Sequence, residues 1–335
     1  MAGNHVVGTL LATALGIFAL YMTQYKVMGD DPAMQKLSQL CMSGNATALK
    51  EAGLHEYEYW MGGSFVCIVT QFAYALAREP AGMLAWGAAG TLLFPLMLLI
   101  FTEAGRPGAR NMVKWPILVL FLSQVLGISF AFPCFWMNAA FQEGTGSGSP
   151  STGRVWMAML VPMLVLCLEV GVFNLDPHTH AWTLCADSLV GPGLALLGLL
   201  MWPFPAPQKP DPAAMELLKN AYLAFGFISA MGYYSLVFYA WGTFGSSDEL
   251  LSALWGPKAS PWVAFMTVDS SVLCLSMLLY LAVTCSSRDV LWAIVWSPFV
   301  GPASAYCDVL RAREERRLEM LEYLTAAGRD PLLPS

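Results

Sequence analysis

The chain has 335 residues, of which 57% are hydrophobic and 12% are charged, and its formal net charge at pH 7 is −6. Soluble globular domains carry about 25% charged residues, so this composition excludes a soluble domain and predicts an integral membrane protein. No basic stripe runs along the sequence, and nucleic acid is therefore not expected as a partner.

Apolar runs follow one another along most of the chain, and a transmembrane helix needs about 20 such residues. They predict an all-α, polytopic transmembrane helix bundle of eight or nine spans. The nine predicted spans are residues 5–25, 59–77, 82–102, 114–137, 155–174, 181–203, 220–242, 262–285 and 290–308. The last contains Pro298 and Pro302, which interrupt helices, so eight is the alternative count. The first has no basic segment before it, and we expect a retained helix rather than a cleaved signal peptide.

Charge beyond the last apolar run predicts the domain organisation and the orientation. Residues 1–308 are expected to form a single transmembrane domain, and residues 309–335 a short charged cytosolic tail. Lys and Arg favour the cytosolic side; with nine alternating spans, the side rich in basic residues is the side of the tail. The N-terminus then lies in the lumen, in a membrane that we expect to be the endoplasmic reticulum. The Asn45-Ala46-Thr47 sequon would face the cytosol and stay unmodified.

Four acidic side chains lie within or at the ends of the apolar runs: Glu103, Glu169, Asp187 and Asp269. A carboxylate inside a membrane span is costly, which makes each a functional hypothesis. Continuous, alternating spans would bring all four to one side, three of them about 7–11 Å below the surface at 1.5 Å per residue. This predicts a pocket open toward one leaflet. The alternative for any single acid is a protonated structural residue bonded to a neighbouring helix.

A short polar turn, residues 174–180, is expected to cap the same side of the bundle. Asn174, His178 and His180 are candidate substrate-binding residues in it, whereas Asp176 before Pro177 is typical of a turn. Two histidines can bind a metal, but no third ligand is suitably spaced. Hydrogen-bonding roles are therefore expected, and no metal site is predicted.

Motifs that would indicate a cofactor enzyme are missing from the sequence. Four histidines cannot supply a histidine-rich di-iron site, and there is no DDxxD or NDxxD motif, P-loop, GxGxxG, GxSxG or HExxH in a credible setting. No cofactor is implied. Aromatic residues make up 13% of the chain; they either fill the core and the membrane interfaces or line a pocket that stabilises a cation.

Acids held inside helices, an aromatic-rich interior and no metal motif together resemble the fungal integral-membrane meroterpenoid cyclases. In length and span count the chain is more similar to the branch that acts on ascochlorin- and ascofuranone-type precursors than to the short seven-span branch. The resemblance covers spans three to eight, and Glu169 and Asp269 are the residues carried over. It implies a membrane enzyme that takes a lipophilic prenylated substrate from the lipid and protonates its terminal epoxide.

The resemblance also implies roles for individual residues. Asp269 or Glu169 would be the general acid, with Asp187 as its partner. Trp182 and Tyr233 would stabilise the carbocation. Glu103, at the end of the third span, is a further candidate substrate-binding residue. An apolar aromatic pocket would keep water, which traps such cations, away from the reaction.

Two other interpretations remain open from sequence. A sterol isomerase-like enzyme also uses membrane acids and aromatic rings to protonate a double bond. A proton-coupled carrier of small molecules also places acids in the membrane, although carriers are often built from repeated halves and no repeat is evident here. A receptor or scaffold, in which the acids affect only stability, is the non-catalytic alternative.

Overall fold

The fold of this protein is built from helices. The structure is a computed structural model and describes residues 2–29, 31–43, 45–55, 63–143, 148–190, 206–207, 209–256 and 258–326. The fold is 85% helical, and no β-strand occurs in these residues. The predicted all-α class is therefore confirmed for the described part of the chain.

The helices are numbered here in chain order. They are α1 Ala2–Leu20, α2 Pro32–Ser43, α3 Ala46–Glu51, α4 Gly63–Arg78, α5 Pro80–Glu103, α6 Asn111–Lys114, α7 Pro116–Leu126, α8 Ile128–Ala131, α9 Asn138–Glu143, α10 Thr152–Asn174, α11 His180–Val190, α12 Pro212–Thr243, α13 Ser247–Leu254, α14 Pro261–Thr284, α15 Ser287–Val300 and α16 Pro302–Ala326. Two π-helical stretches, Tyr21–Gly29 and Phe132–Met137, continue α1 and α8.

Side-chain caps and prolines set the starts of the long C-terminal helices. Asp211 and Ser260 accept hydrogen bonds from the backbone N–H groups three residues on, and each is followed by a proline in the first turn of α12 or α14. Ser286 and Asp289 form a reciprocal capping box at the start of α15. Such caps satisfy backbone N–H groups that have no partner inside the helix, so the sequence itself marks these boundaries.

Five helical segments are long and apolar enough to cross a membrane, which gives the chain the character of a transmembrane protein. They are His5–Val27, Pro80–Glu103, Thr152–Asn174, Pro212–Thr243 and Pro261–Thr284. These match the predicted spans 5–25, 82–102, 155–174, 220–242 and 262–285. The predicted total of eight or nine spans is not reached within the described residues.

The remaining predicted spans differ from expectation for separate reasons. Span 59–77 is described only from Gly63, as the 16-residue helix α4. Span 181–203 is described only to Val190, and the rest of it lies outside the described residues. Spans 114–137 and 290–308 are each broken by a glycine with a positive φ angle, as described below.

Helix α5 lies at the centre of the bundle, packed against α4, α10, α12, α14 and α16. We name the two ends of the bundle the Glu79 end and the Glu103 end, after the residues at either end of this helix. Helix α10 runs antiparallel to α5: Arg154 Nε donates to the Phe101 carbonyl at 2.8 Å, and the rings of Phe173 and Trp86 are 5.3 Å apart.

Helix α14 runs parallel to α5, and α1 runs antiparallel to both. Ser260 Oγ, before α14, donates to Glu79 Oε2 at 2.7 Å, whereas Tyr280 near its end lies beside the arginines around Glu103. In α1, Gly8 contacts Val283, while Ala19 packs against Val268. The first residues of α1 therefore lie at the Glu103 end.

The predicted fourth span is a re-entrant pair of helices instead of a crossing. Helix α7 ends at Gly127, whose φ of 92° few residues other than glycine adopt. The chain then turns back through α8 and the following π-helical stretch. Trp136 packs against Tyr280 at 5.5 Å between ring centroids, and Asn138 Nδ2 donates to Thr13 Oγ1 at 2.9 Å. We call residues 116–143 the first hairpin; it enters and leaves at the Glu103 end.

Residues 287–326 form a second hairpin of the same kind. Helices α15 and α16 pack against each other and meet at Gly301, whose φ is 84°. Trp292 Nε1 donates to Asp308 Oδ2 at 3.0 Å across the pair. Helix α16 continues without interruption through residue 308, so the predicted boundary between domain and tail lies inside a helix.

A buried cluster of ions joins α16 to the end of α5. Arg313 Nη2 lies 2.6 Å from Glu103 Oε1, and Arg106 Nη2 lies 2.5 Å from Glu314 Oε2. Arg317 contacts both acids, at 3.1 and 3.0 Å. Burial alone would raise the pKa of Glu314, but the Arg106, Arg317 and Arg313 guanidinium groups outweigh it and hold that pKa well below its usual range.

The first hairpin overturns the expected alternation of spans. Because it returns to its starting end, Glu103 and the start of α10 share one end of the bundle, and the 174–180 turn lies at the other. The expectation that Glu103 and this turn cap the same side is therefore wrong. The expected separation of the N-terminal helix start from the C-terminal helix is wrong for the same reason, since His5 and Arg313 both lie near the Glu103 end.

Candidate functional site

A cavity of about 470 Å³ lies between the central helices, in the half of the bundle toward the Glu79 end. Apolar and aromatic side chains form most of its wall. Its lining residues are Gln24, Met28, Phe65, Ile68, Val69, Phe72, Trp86, Ala89, Gly90, Leu93, Met97, Leu120, Ser123, Gln124, Val125, Gly127, Ile128, Val165, Glu169, Leu189, Phe265, Met266 and Asp269. The volume is in the range of small-molecule sites, about 300–1,000 Å³. Two of the four acids from the sequence, Glu169 and Asp269, line it.

Glu169 projects from α10 toward α5, where a glycine leaves room for it. A Cβ atom on Gly90 would lie 2.8 Å from Glu169 Oε2, so only glycine permits this approach without movement of the acid. The Trp86 side chain, one turn before Gly90 on the same helix, lies within hydrogen-bonding reach of the carboxyl group. Glu169 is 8% exposed, and no Lys, Arg or His is among the described residues that line its cavity.

Asp269 projects from α14 onto the tip of the first hairpin. Its Oδ1 accepts hydrogen bonds from the Ser129 backbone N–H at 3.2 Å and from the Ser129 hydroxyl group. Ser129 lies in the first turn of α8, so Asp269 caps this helix from another part of the chain. The carboxyl group therefore has a structural contact at one oxygen while it lines the cavity.

Gly127 is required at the tip for two reasons: its φ is 92°, and a Cβ atom added to it would lie 2.9 Å from Asp269 Oδ1.

We expect Gly127→Ala to destabilise the protein by about 1–3 kcal/mol through backbone strain, and also to displace Asp269. Gly53→Ala is the matched control, since Gly53 has a φ of 73° and nothing within 4 Å of the corresponding Cβ position. Thermal unfolding in detergent should show the larger loss of stability for Gly127→Ala, because only there would the new Cβ atom also meet a buried side chain. Equal losses in the two variants would contradict this role of the tip.

The third acid inside the apolar runs, Asp187, lies beside the cavity wall. Its Oδ1 accepts a hydrogen bond from Thr70 Oγ1 at 2.5 Å, and its side chain is half-buried. Leu189, two residues on, lines the cavity, whereas Asp187 is not among the lining residues. The structure thus places Asp187 at the contact between α4 and α11.

Trp182 is fully buried at the same contact, where Trp182 Nε1 donates to the Val172 carbonyl at 2.9 Å. Its ring lies 4.9 Å from His55 and 5.9 Å from Tyr74. This packing joins the 174–180 turn to α4, outside the cavity wall.

The polar turn itself lies on the surface at the Glu79 end. Asn174 Nδ2 donates to the Val170 carbonyl at 2.8 Å, and the His178 ring lies parallel to the His55 ring at 6.5 Å. Asn174, His178 and His180 are exposed and do not line the cavity. Among the described residues, no group of three or more His, Cys, Asp or Glu side chains is arranged to hold a metal ion.

Glu103 and Tyr233 lie at two further places in the bundle. Glu103 belongs to the buried ion cluster at the opposite end. The Tyr233 hydroxyl group donates to the Pro298 carbonyl at 2.9 Å, at the tip of the second hairpin. Neither residue lines the cavity.

Several residues that line the cavity or contact its acids were not among those predicted from the sequence. Trp86, Phe72, Phe265 and Gln124 lie in its wall, and Ser129 holds Asp269. Aromatic residues are so frequent in this chain that no spacing distinguishes these from core residues. The local signal was the glycine at position 127, which lies in the apolar run 114–137 close to the polar residues Ser123, Gln124 and Ser129.

Comparison with known proteins adds no relative: the chain matches no family model, no curated protein and no solved structure.

Proposed function

We propose that this protein is a membrane-embedded, redox-neutral terpene cyclase that protonates the terminal epoxide of a prenylated aromatic substrate. The observation that carries the proposal is the presence of two acids, Glu169 and Asp269, in one mainly apolar cavity of about 470 Å³. A cavity inside apolar helices suits a lipophilic substrate that enters from the membrane, and we place that membrane in the endoplasmic reticulum.

In this proposal Glu169 is the general acid. Burial in an apolar wall favours the neutral form of a carboxyl group, and only that form can donate. As the proton passes to the epoxide oxygen, one carbon–oxygen bond breaks, the oxygen becomes a hydroxyl group and a carbocation remains. The π-bonds of the prenyl chain then attack the cation in turn and close the rings.

Asp269 is suited to the last step. The Ser129 N–H and O–H groups donate to its Oδ1 and fix the orientation of the carboxyl group. The second carboxyl oxygen, Oδ2, would accept the proton that the final carbocation loses as a carbon–carbon double bond forms. One proton enters the substrate and one leaves, so the product is an isomer of the substrate.

The cavity wall supplies two further requirements of cation chemistry. Phe72, Trp86 and Phe265 present aromatic rings, and ring faces stabilise a cation by about 0.5–2 kcal/mol each. The Phe72 and Phe265 rings are held edge to face at 5.3 Å, which fixes their positions before substrate binds. Apolar neighbours such as Leu93 and Met97 exclude water that would trap the cation as an alcohol.

The test is an assay in microsomes that contain the full chain. A farnesylated phenol with a terminal epoxide is added, and products are separated by liquid chromatography with mass detection. We expect a product of unchanged mass and new retention time that is absent from microsomes without the protein. Hydrolysis to a diol, or no conversion of a series of such epoxides, would contradict the proposal, and identifying the lipid retained by the purified protein would then separate the sterol-isomerase and carrier interpretations.

A further inference from the structure

Residues 31–43 and 45–55 connect α1 to α4 and pack against one end of the bundle. His55 Nε2 lies 2.6 Å from the Pro177 carbonyl, in the turn after α10. The His55 N–H donates to Gln71 Oε1 at 2.8 Å, and Gln71 Nε2 donates back to the His55 carbonyl at 2.7 Å. Trp262, at the start of α14, packs against the apolar side of the segment. The segment therefore lies at the Glu79 end.

A disulfide bond ties this segment to α4. Cys41 in α2 and Cys67 in α4 are bonded, with their Cα atoms 5.7 Å apart, and both side chains are fully buried in a small apolar cluster. Structural disulfides form and persist in the lumen of the secretory pathway and outside the cell, and are rare in the cytosol. The bond places the Glu79 end on the non-cytosolic side of the membrane.

The distribution of basic residues points the same way, because Lys and Arg are enriched in cytosolic loops. At the Glu103 end lie Arg106, Arg110, Lys114, Arg154, Lys209, Lys219, Arg288, Arg311, Arg313, Arg316 and Arg317. At the Glu79 end lie Lys26, Lys36, Lys50, Arg78 and Lys258. The Glu103 end, with the larger share, is the cytosolic end.

The only Asn-x-Ser/Thr sequon of the 335 residues lies in this same segment, at Asn45-Ala46-Thr47. Asn45 and Thr47 are exposed. Asn45 Oδ1 caps α3 by accepting from the Ala48 N–H at 3.2 Å, whereas glycosylation modifies the other atom of the amide, Nδ2. The cap and the modification therefore use different atoms.

We propose that the Glu79 end of the bundle faces the lumen and that Asn45 there carries an N-linked glycan. The proposal rests on the location in the endoplasmic reticulum given above, but not on the cyclase activity. It reverses the orientation expected for the N-terminal half from nine alternating spans. The disulfide, the basic residues and the sequon support it independently.

The test is a digestion of the full chain, expressed in a eukaryotic cell, with peptide-N-glycosidase F. We expect digestion to increase the electrophoretic mobility of the protein by a single step, which corresponds to the loss of one glycan. Asn45→Asp should remove this shift while the protein still folds, because Asp is as good a helix cap as Asn. Thr47→Ser keeps the sequon and should keep the shift, whereas Thr47→Ala should abolish it.

A second measurement separates the glycan from the orientation. An epitope added before Met1 should be reached by antibody after digitonin opens only the plasma membrane, since the start of α1 lies at the Glu103 end. A digestion shift that persists in Asn45→Asp, or no shift at all, would overturn the modification. An epitope reached only after the internal membranes are dissolved would overturn the orientation. Neither outcome depends on catalysis, so failure of the cyclase assay leaves both readouts unaffected.

Discussion

Replacing Glu169 by glutamine is expected to lower the rate of the proposed cyclisation by about 10²–10⁴-fold, the usual contribution of a general acid. Glutamine keeps the shape of the side chain and its place beside Gly90, but it has no acidic proton to give to the epoxide. Single-turnover product formation in microsomes measures the effect. Thermal unfolding of the purified protein should change little, because Glu169 is not part of an ion pair in the described structure.

Two companion variants make this result specific. Glu249→Gln applies the same replacement to an exposed acid at the same end of the bundle and should leave turnover unchanged. Asp269→Asn keeps an oxygen to accept from Ser129 and removes the base, so it should slow the reaction while substrate binding remains. A Glu169→Gln variant with normal turnover would exclude Glu169 as the acid, and one that fails to fold would show that Glu169 has a structural role.

Replacing Glu314 by glutamine is expected to cost about 3–5 kcal/mol of unfolding free energy, as for removal of one partner from a buried ion pair. Glu314 is fully buried and contacts Arg106, Arg313 and Arg317 at 2.5–3.0 Å. Its loss would leave three guanidinium groups with Glu103 alone. Denaturant or thermal unfolding in detergent measures the change.

The neighbouring residue is the control. Glu315 is 44% exposed and reaches Arg311 and Lys219 only at 4.0 and 3.8 Å. Exposed pairs contribute about 0–1 kcal/mol, so Glu315→Gln should be nearly neutral.

The contribution of Glu314 to stability depends on pH, because its pKa is lowered on folding. The stabilisation of the folded protein by Glu314 is complete above the unfolded pKa of about 4.3 and is lost as pH falls toward the folded value. The difference between the two variants should therefore be constant from neutral pH to about pH 5 and shrink below it; equal destabilisation at neutral pH would mean that the cluster does not hold α16.

Part of this fold could be predicted from the sequence because a helix that crosses a bilayer needs about 20 consecutive apolar residues. Runs such as 82–102 and 155–174 are apolar over the full length that a crossing needs, and they are single helices in the structure. Glu169 and Asp269 lie in two such helices, where depth follows from residue number alone. Their position relative to one end of the bundle was therefore accessible without a structure.

The two hairpins could not be predicted, since hydropathy does not distinguish a crossing from a turn buried in protein. Gly127 lies inside an apolar run that predicts one continuous helix, but in the structure it forms a turn. That turn packs against Asp269, which lies 142 positions later in the chain. Glu103 was misplaced for a similar reason: its partners, Arg313 and Arg317, lie more than 200 positions away. The Cys41–Cys67 bond likewise joins residues whose spacing fits no motif.

The first hairpin also determines how deep the cavity is. Its tip, with Gly127 and Ile128, lines the cavity, while both of its ends are attached at the Glu103 end. Each residue added to both arms would move the tip about 1.5 Å toward the cavity, and a full turn in each would move it about 5.4 Å. A shorter hairpin would lengthen the space by the same increments. The number of residues in these two arms, rather than the length of the long helices, would then limit the length of the molecule that the cavity can hold.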